Sequence, residues 1–214
     1  MPPILVTGFE PFGGEVLNPS AQVAQALHGR RIGGAAVIGM VLPCAFGEAI
    51  ATLREALATH RPQLVLALGQ AGGRCDLSLE RVAINLDDAR IADNCGAQPI
   101  DEAVVVGGPA AFFTTLPVKA MAAALRLAGY PASVSHSAGT FVCNHVFYGL
   151  QHLLADAPSV RSGFMHLPYL PEQAAHHAGA PSLALATMID GVAAALAAAL
   201  MTVRDARVSE GAMD

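Results

Sequence analysis

The sequence predicts an α/β fold in one compact domain, with an open, twisted, mostly parallel sheet flanked by helices. Three observations predict it. Short apolar runs alternate along the chain with longer stretches of helical periodicity, the pattern of strand–helix units. The apolar runs are nearly continuous rather than strictly alternating, which suits strands covered on both faces. The 214 residues are 53% hydrophobic and 14% charged. That balance fills a sizeable core and excludes a disordered chain, and the length suits a single domain.

The first strand is expected at Ile4–Thr7, ended by the glycine-rich stretch Gly8 to Gly14. A helix follows over Ser20–His28, then a strand over Ala36–Val41 and a helix over Phe46–Ala58. The apolar run Leu64–Leu68 is the third strand, closed by Gly69-Gln70-Ala71-Gly72-Gly73-Arg74. Val82–Asn85 reads as a fourth strand. From Asp87 to Gly108 the chain turns polar and rich in Asp, Asn and Gly. An excursion of that length outside a sheet is functional or mobile. A helix over Leu116–Leu127, a strand over Ser133–His136, a helix over Cys143–Ala155 and a strand over Gly163–His166 come next. In the last helix, Ser182–Met201, residues Leu185, Met188, Ile189, Val192, Leu196 and Leu200 recur at helical spacing. Its alanines favour helix on propensity alone. The domain is taken as residues 1–203, and the polar tail 204–214 is expected to fray.

Composition excludes several functions. The net charge is −5, from 12 basic and 17 acidic residues, and Arg30-Arg31 is the only adjacent basic pair. A groove tracking nucleic-acid phosphates needs the opposite. Trp is absent and aromatics are 5%, so stacking platforms for bases are few. The longest largely apolar stretch, Val192 to Val203, is too short for a membrane span of about 20 residues. The start, MPPILVTGFEPFGG, has no basic region and too short an apolar run for a signal peptide, so a reducing cytoplasm is expected. Cys44, Cys75, Cys95 and Cys143 form no Cys-x-x-Cys pair, and no His/Asp cluster has ligand spacing. No metal site is expected.

In open α/β sheets ligands bind beyond the carboxyl ends of the strands. Cys143 is the sharpest candidate there. A Gly-containing turn feeds it into a helix, with Thr140 as a possible N-cap. A thiol in a first helical turn faces the positive end of the dipole and free N–H groups, which favour the thiolate and can bind an oxyanion. The competing reading is a small buried hydrophobe. His166 closes a strand ahead of Leu-Pro, as either a base or a hydrogen-bonded structural histidine. His145, two residues past Cys143, points away from the thiol. Glu80 either pairs with an arginine or orients an imidazole. The glycine clusters fit neither the Walker pattern nor Gly-x-Gly-x-x-Gly. They permit tight turns instead, and Phe9 and Phe12 beside Pro11 are core residues or an apolar pocket wall.

Several stretches together resemble the pyroglutamyl-peptidase I (pyrrolidone-carboxylate peptidase) family of cysteine peptidases. They are LVTGFEPFGG at 5–14 with Asn18-Pro19-Ser20, LGQAGGR at 68–74, ERVAIN at 80–85, RIADNCGAQPID at 90–101, SAGTFVCNH at 137–145 and GFMHLPYLPEQ at 163–173. The resemblance implies an α/β/α sandwich, a cytosolic homotetramer without cofactor, and removal of N-terminal pyroglutamyl residues from peptides. It implies a triad of Cys143, His166 and Glu80, acting through a thioester. Phe9, Phe12, Ile91, Phe141 and Val142 are expected to line an apolar slot for the flat lactam, the resemblance suggests that backbone groups near Gln70 hydrogen-bond its N–H and C=O, and Arg90 is a candidate oxyanion helper. Two other classes compete. A nucleoside-phosphorylase-like transferase would need cations converging on phosphate, with Arg74 and Arg90 placed for it; fold likeness alone is a weak warrant for it. A non-catalytic binding module has no need of Glu80, Cys143 and His166 together.

Overall fold

The computed structural model describes residues 1–210. In chain order the elements are β1 (Ile4–Phe9), α1 (Pro19–Leu27), β2 (Arg31–Ile32), β3 (Ala35–Leu42), α2 (Glu48–His60), β4 (Leu64–Gln70), β5 (Leu77–Glu80), β6 (Val82–Ile84), β7 (Ala111–Phe113), α3 (Val118–Leu127), β8 (Ala132–Ser135), α4 (Val142–Leu153), β9 (Arg161–Leu167), α5 (Pro171–Ala174) and α6 (Leu185–Met201).

Seven strands form one sheet in the order β2-β3-β1-β4-β9-β5-β8, and β6 pairs with β7 in a separate two-stranded sheet. Neighbours are parallel except β2 against β3 and β5 against β9. From β1 the chain crosses through α1 to β3 on one side, then returns through α2 to β4 on the other. That reversal is a topological switch point, where the carboxyl ends of β1 and β4 open a crevice.

Alternate residues of each central strand face opposite layers. Ile4, Val6, Leu64, Leu66, Leu68, Met165 and Leu167 join the core under α1, α3 and α6. Leu5, Val65, Ala67 and Phe164 join the core under α2 and α4. Truncating any of these buried leucines to Ala costs about 2–5 kcal/mol.

Local chemistry sets the helix ends. At α1 the Asn18 side chain accepts from Ser20 N–H at 3.0 Å, and Pro19 occupies the first turn, where a missing N–H costs nothing. The helix expected from Leu116 begins only at Val118, after Pro117, which offers no capping side chain. Asp205 caps it instead, accepting from Lys119 N–H at 3.2 Å and Ala120 N–H at 2.9 Å.

Several expectations are corrected. Val82–Asn85 is no strand of the main sheet; Val82–Ile84 pairs with β7. The strand beside it in sequence, β5, enters the sheet in its place. The tail is not detached through Glu210 but folds back on α3: Lys119 Nζ donates to Val208 O at 2.5 Å, and Arg126 pairs with Glu210. The rest of the expected tail, 211–214, lies outside the described residues. The polar excursion is pinned, with Asp87 and Glu102 exchanging backbone bonds and Asp93 accepting from Phe46, Cys95 and Ala97 N–H. Among the described residues no helix is long and apolar enough to cross a membrane.

Candidate active site

The pleat brings Glu80 and His166 together. On antiparallel β5 and β9, Ser78 lies opposite His166 and Glu80 opposite Phe164. Residues two apart share a face, so Glu80 and His166 are diagonal neighbours on the α4 side, within reach of long side chains. His166 Nδ1 lies 2.7 Å from Glu80 Oε1. Glu80 is 0% exposed and His166 4%. With a carboxylate accepting, Nδ1 carries the proton and Nε2 is the bare nitrogen.

Glu80 has a second partner. Arg74 Nη1 lies 2.8 Å from the same oxygen, and Arg74 Nη2 donates to Ser137 O at 2.9 Å. Arg81, adjacent to Glu80 in sequence, is elsewhere, over the Phe113 ring at 5.8 Å. From the sequence Arg74 is expected only as a phosphate ligand; in the fold its charge is paired with Glu80. The signal was its place at the end of the loop leaving β4.

Cys143 lies in the first turn of α4, whose first N–H groups have no intrahelical partner. Thr140 is not the cap. Phe141 is, without a side-chain bond, and Thr140 Oγ1 donates to Asp88 O at 2.7 Å. Asn144 ties the helix start to β6, donating to Ile84 O and Leu86 O at 2.9 Å and accepting from Ile84 N–H at 3.0 Å. Nothing in the sequence pattern marked Asn144 for this.

A cavity of about 320 Å³ opens above these groups, lined by Phe12, Gln70, Ala71, Arg74, Asp88, Arg90, Ile91, Ala138, Gly139, Thr140, Phe141, Cys143 and His166. So the structure brings Cys143 and His166 to one wall, with Phe12, Gln70, Ile91, Phe141 and Arg90 around them. The Gln70 side chain is held from behind by Gln173, 2.9 Å away. Phe9 and Val142 are not part of the lining. Each is 1% exposed and belongs to the core beneath it; Phe9 packs on Phe164, which packs on His166. Phe9 at the end of β1 and Val142 in the first turn of α4 both pack into the same core as the thiol, below the cavity.

Burial dominates the protonation states. It pushes the Cys143 thiol up, helped by Cys44 and Glu80 and opposed by Arg74. It also holds the His166 imidazole below its ordinary value, against the hydrogen bond and charge of Glu80, with Arg74 lowering it further. Burial thus works against the thiolate that a helix N-terminus favours. Among the described residues no group of three or more His, Cys, Asp or Glu side chains is arranged to hold a metal ion.

The chain matches a family described as pyroglutamyl peptidase over residues 3–202. It is 61% identical over 213 residues to the pyrrolidone-carboxylate peptidase of Cupriavidus taiwanensis, covering 99% of each chain. It is 57% identical over 212 residues to that of Erwinia tasmaniensis, again over 99% of each. The fold superposes on the crystal structure of pyroglutamyl peptidase I from Bacillus amyloliquefaciens with a TM-score of 0.93 and 44% identity, over 96% of this chain and 98% of that one. Pyrrolidone carboxyl peptidase from Thermococcus litoralis gives 0.93 and 37%, over 98% and 100%.

Proposed function

The chain belongs to the pyroglutamyl peptidase family and removes N-terminal pyroglutamyl residues from peptides, and from that premise we propose that Cys143, His166 and Glu80 carry the hydrolysis. The observation that supports this is the 2.7 Å His166–Glu80 pair at the wall of a cavity that Cys143 also lines.

The bare Nε2 of His166 takes the thiol proton as Cys143 Sγ attacks the pyroglutamyl carbonyl carbon. Glu80 stabilises the imidazolium as it forms and fixes the tautomer. First-turn N–H groups of α4 receive the developing oxyanion, a role worth about 3–4 kcal/mol per donor in comparable sites. Arg90, which lines the cavity and makes no ion pair among the described residues, is a second source of positive charge for it. His166 then gives its proton to the leaving amine, and the C–N bond breaks to leave a thioester. Water, deprotonated by His166, attacks that thioester, releasing pyroglutamate and restoring the thiol.

Phe12, Ile91 and Phe141 form the apolar walls for the lactam ring, and Gln70 is the polar group at its edge. The same reading carries a cytoplasmic homotetramer, checked by sedimentation of the purified protein. The chemistry is tested by hydrolysis of a pyroglutamyl amide with and without a thiol-alkylating reagent. Cys143→Ala should lose activity by at least about 10³-fold, and Cys143→Ser nearly as much. Substantial turnover by Cys143→Ala would remove the thiol from the mechanism.

A further inference from the structure

A second buried histidine stands on the far side of the first turn of α4. His145 Nδ1 lies 2.7 Å from Asp87 Oδ2, and its Nε2 accepts from Gly47 N–H at 2.9 Å. Both side chains are 7% exposed. A backbone N–H only donates, so Nε2 is bare and Nδ1 carries the proton. This imidazole is neutral and fixed in one tautomer, and the hydrolysis above makes no use of it.

Its three attachments all lead to the substrate cavity. Gly47 is the N-cap residue of α2, at φ 73°, with no side-chain cap; only glycine adopts that conformation at little cost. The bond to His145 satisfies its N–H and fixes the turn that carries Phe46. The Phe46 ring meets His145 edge-on at 5.2 Å and Phe141 edge-on at 5.5 Å. Phe141 in turn meets Phe12 at 5.7 Å. On the other side Asp87 precedes Asp88, whose N–H donates to Thr140 O and whose carbonyl accepts from Thr140 Oγ1. Asp88, Arg90, Ile91, Thr140 and Phe141 line the cavity; Phe46, His145 and Asp87 do not.

We propose that His145, held by Asp87, is a positioning residue for substrate binding. Its neutral ring bridges the Phe46 turn and the Asp88–Ile91 loop, and so sets the width of the slot between Phe141 and Ile91. The inference rests on the reading that this slot holds the pyroglutamyl ring. Because the bridge acts on the wall and not on Cys143, it governs KM and leaves kcat nearly alone, the behaviour of a contact made equally to ground state and transition state.

The test compares His145→Phe with His145→Gln on one pyroglutamyl amide. Phenylalanine keeps a flat ring but leaves the Gly47 N–H and the buried Asp87 carboxylate without partners, which is costly. It should raise KM about tenfold with kcat within about threefold. A glutamine amide can donate to Asp87 and accept from Gly47, and should restore KM to within about threefold of wild type. If His145→Phe does not fold, Phe46→Ala breaks the same chain at the next ring and should raise KM alike. An unmoved KM in the folded variant, or a fall in kcat alone, overturns the proposal while wild-type hydrolysis stands. Wild-type protein inert toward the amide overturns the reading of the site, and this inference with it.

Discussion

Gly69 and Cys143 are fitted to each other: a Cβ at position 69 would lie 2.7 Å from Cys143 Sγ and 2.8 Å from the Phe164 ring. No real Cβ tolerates such contacts, so the thiol occupies the space that a side chain on β4 would fill. Gly69 is also the parallel neighbour of His166. One missing side chain thus lets the proposed nucleophile and the proposed base share a wall.

Gly69→Ala should therefore displace the thiol without breaking the sheet. We expect kcat/KM for a pyroglutamyl amide to fall about 10²-fold, the scale of a misplacement near 1 Å. The far-UV circular dichroism spectrum should be unchanged. Activity close to wild type would show that the thiol can sit elsewhere and still react.

As the proposed base His166 must be neutral to act, so the acid limb of the pH–rate profile should report it. Glu80 raises its proton affinity and Arg74 lowers it. Glu80→Gln should accordingly move the acid limb of kcat/KM to lower pH, besides reducing the plateau. Arg74→Met should move it to higher pH. Shifts in the same direction for both variants would contradict the electrostatic arrangement described.

Stability at high pH depends on the buried thiols. Cys44 is pushed from its ordinary 9.0 up to about 12, chiefly by burial and further by Asp93 and Glu10. The unfolded chain releases that proton near pH 9, whereas the native state keeps it. This stabilisation is complete below pH 9 and is lost as pH rises through the window to about 12. Denaturant midpoints from pH 7 to 10.5 should fall more steeply for wild type than for Cys44→Ala. Parallel curves would show that Cys44 does not couple to unfolding.

An apolar slot with a polar edge should reject proline. A prolyl amide has the same ring size, but its protonated amine is costly to bury and it lacks the lactam oxygen. Discrimination of roughly 10⁴-fold is the scale for a site built to hydrogen-bond a missing group. Phe12→Ala should weaken pyroglutamyl turnover without admitting prolyl substrates, measured as parallel kcat/KM values with one leaving group. Comparable values for the two amides in wild type would mean a different pocket.

The α/β class was legible because the central strands β1, β4 and β9 are buried on both faces and, with the half-buried β3, read as apolar runs. β5 was not, for a reason tied to function. Its Leu77 and Leu79 face one core while Ser78 and Glu80 face the site, so it shows a four-residue alternation beside the smoother Val82-Ala83-Ile84. Cys143, His166 and Glu80 were legible through the motif resemblance; their register was not, because pairing across 86 residues leaves no local trace. Phe9 and Phe12 look equivalent in sequence, and only the end of β1 separates a core ring from a pocket ring. His145 took its partners, Asp87 and Gly47, from distant loops, and Arg74 reached past Arg81 to the side chain of Glu80 and the carbonyl of Ser137, which composition does not reveal.

β9 lies between β4 and β5, which end at Gln70 and Glu80, whereas β9 begins only at Arg161. Until it inserts, the sheet exists as two separate parts with open edges, and non-local pairing of this kind is slow. The imidazole arrives on that closing strand. In refolding from denaturant, helical signal should therefore recover before peptidase activity, and activity should appear together with protection of β4 and β5 amides from hydrogen exchange. Activity returning in step with the first helical signal would mean that the gap closes at the outset. With His166 as the proposed base, hydrolysis has to wait until the sheet has been sewn shut.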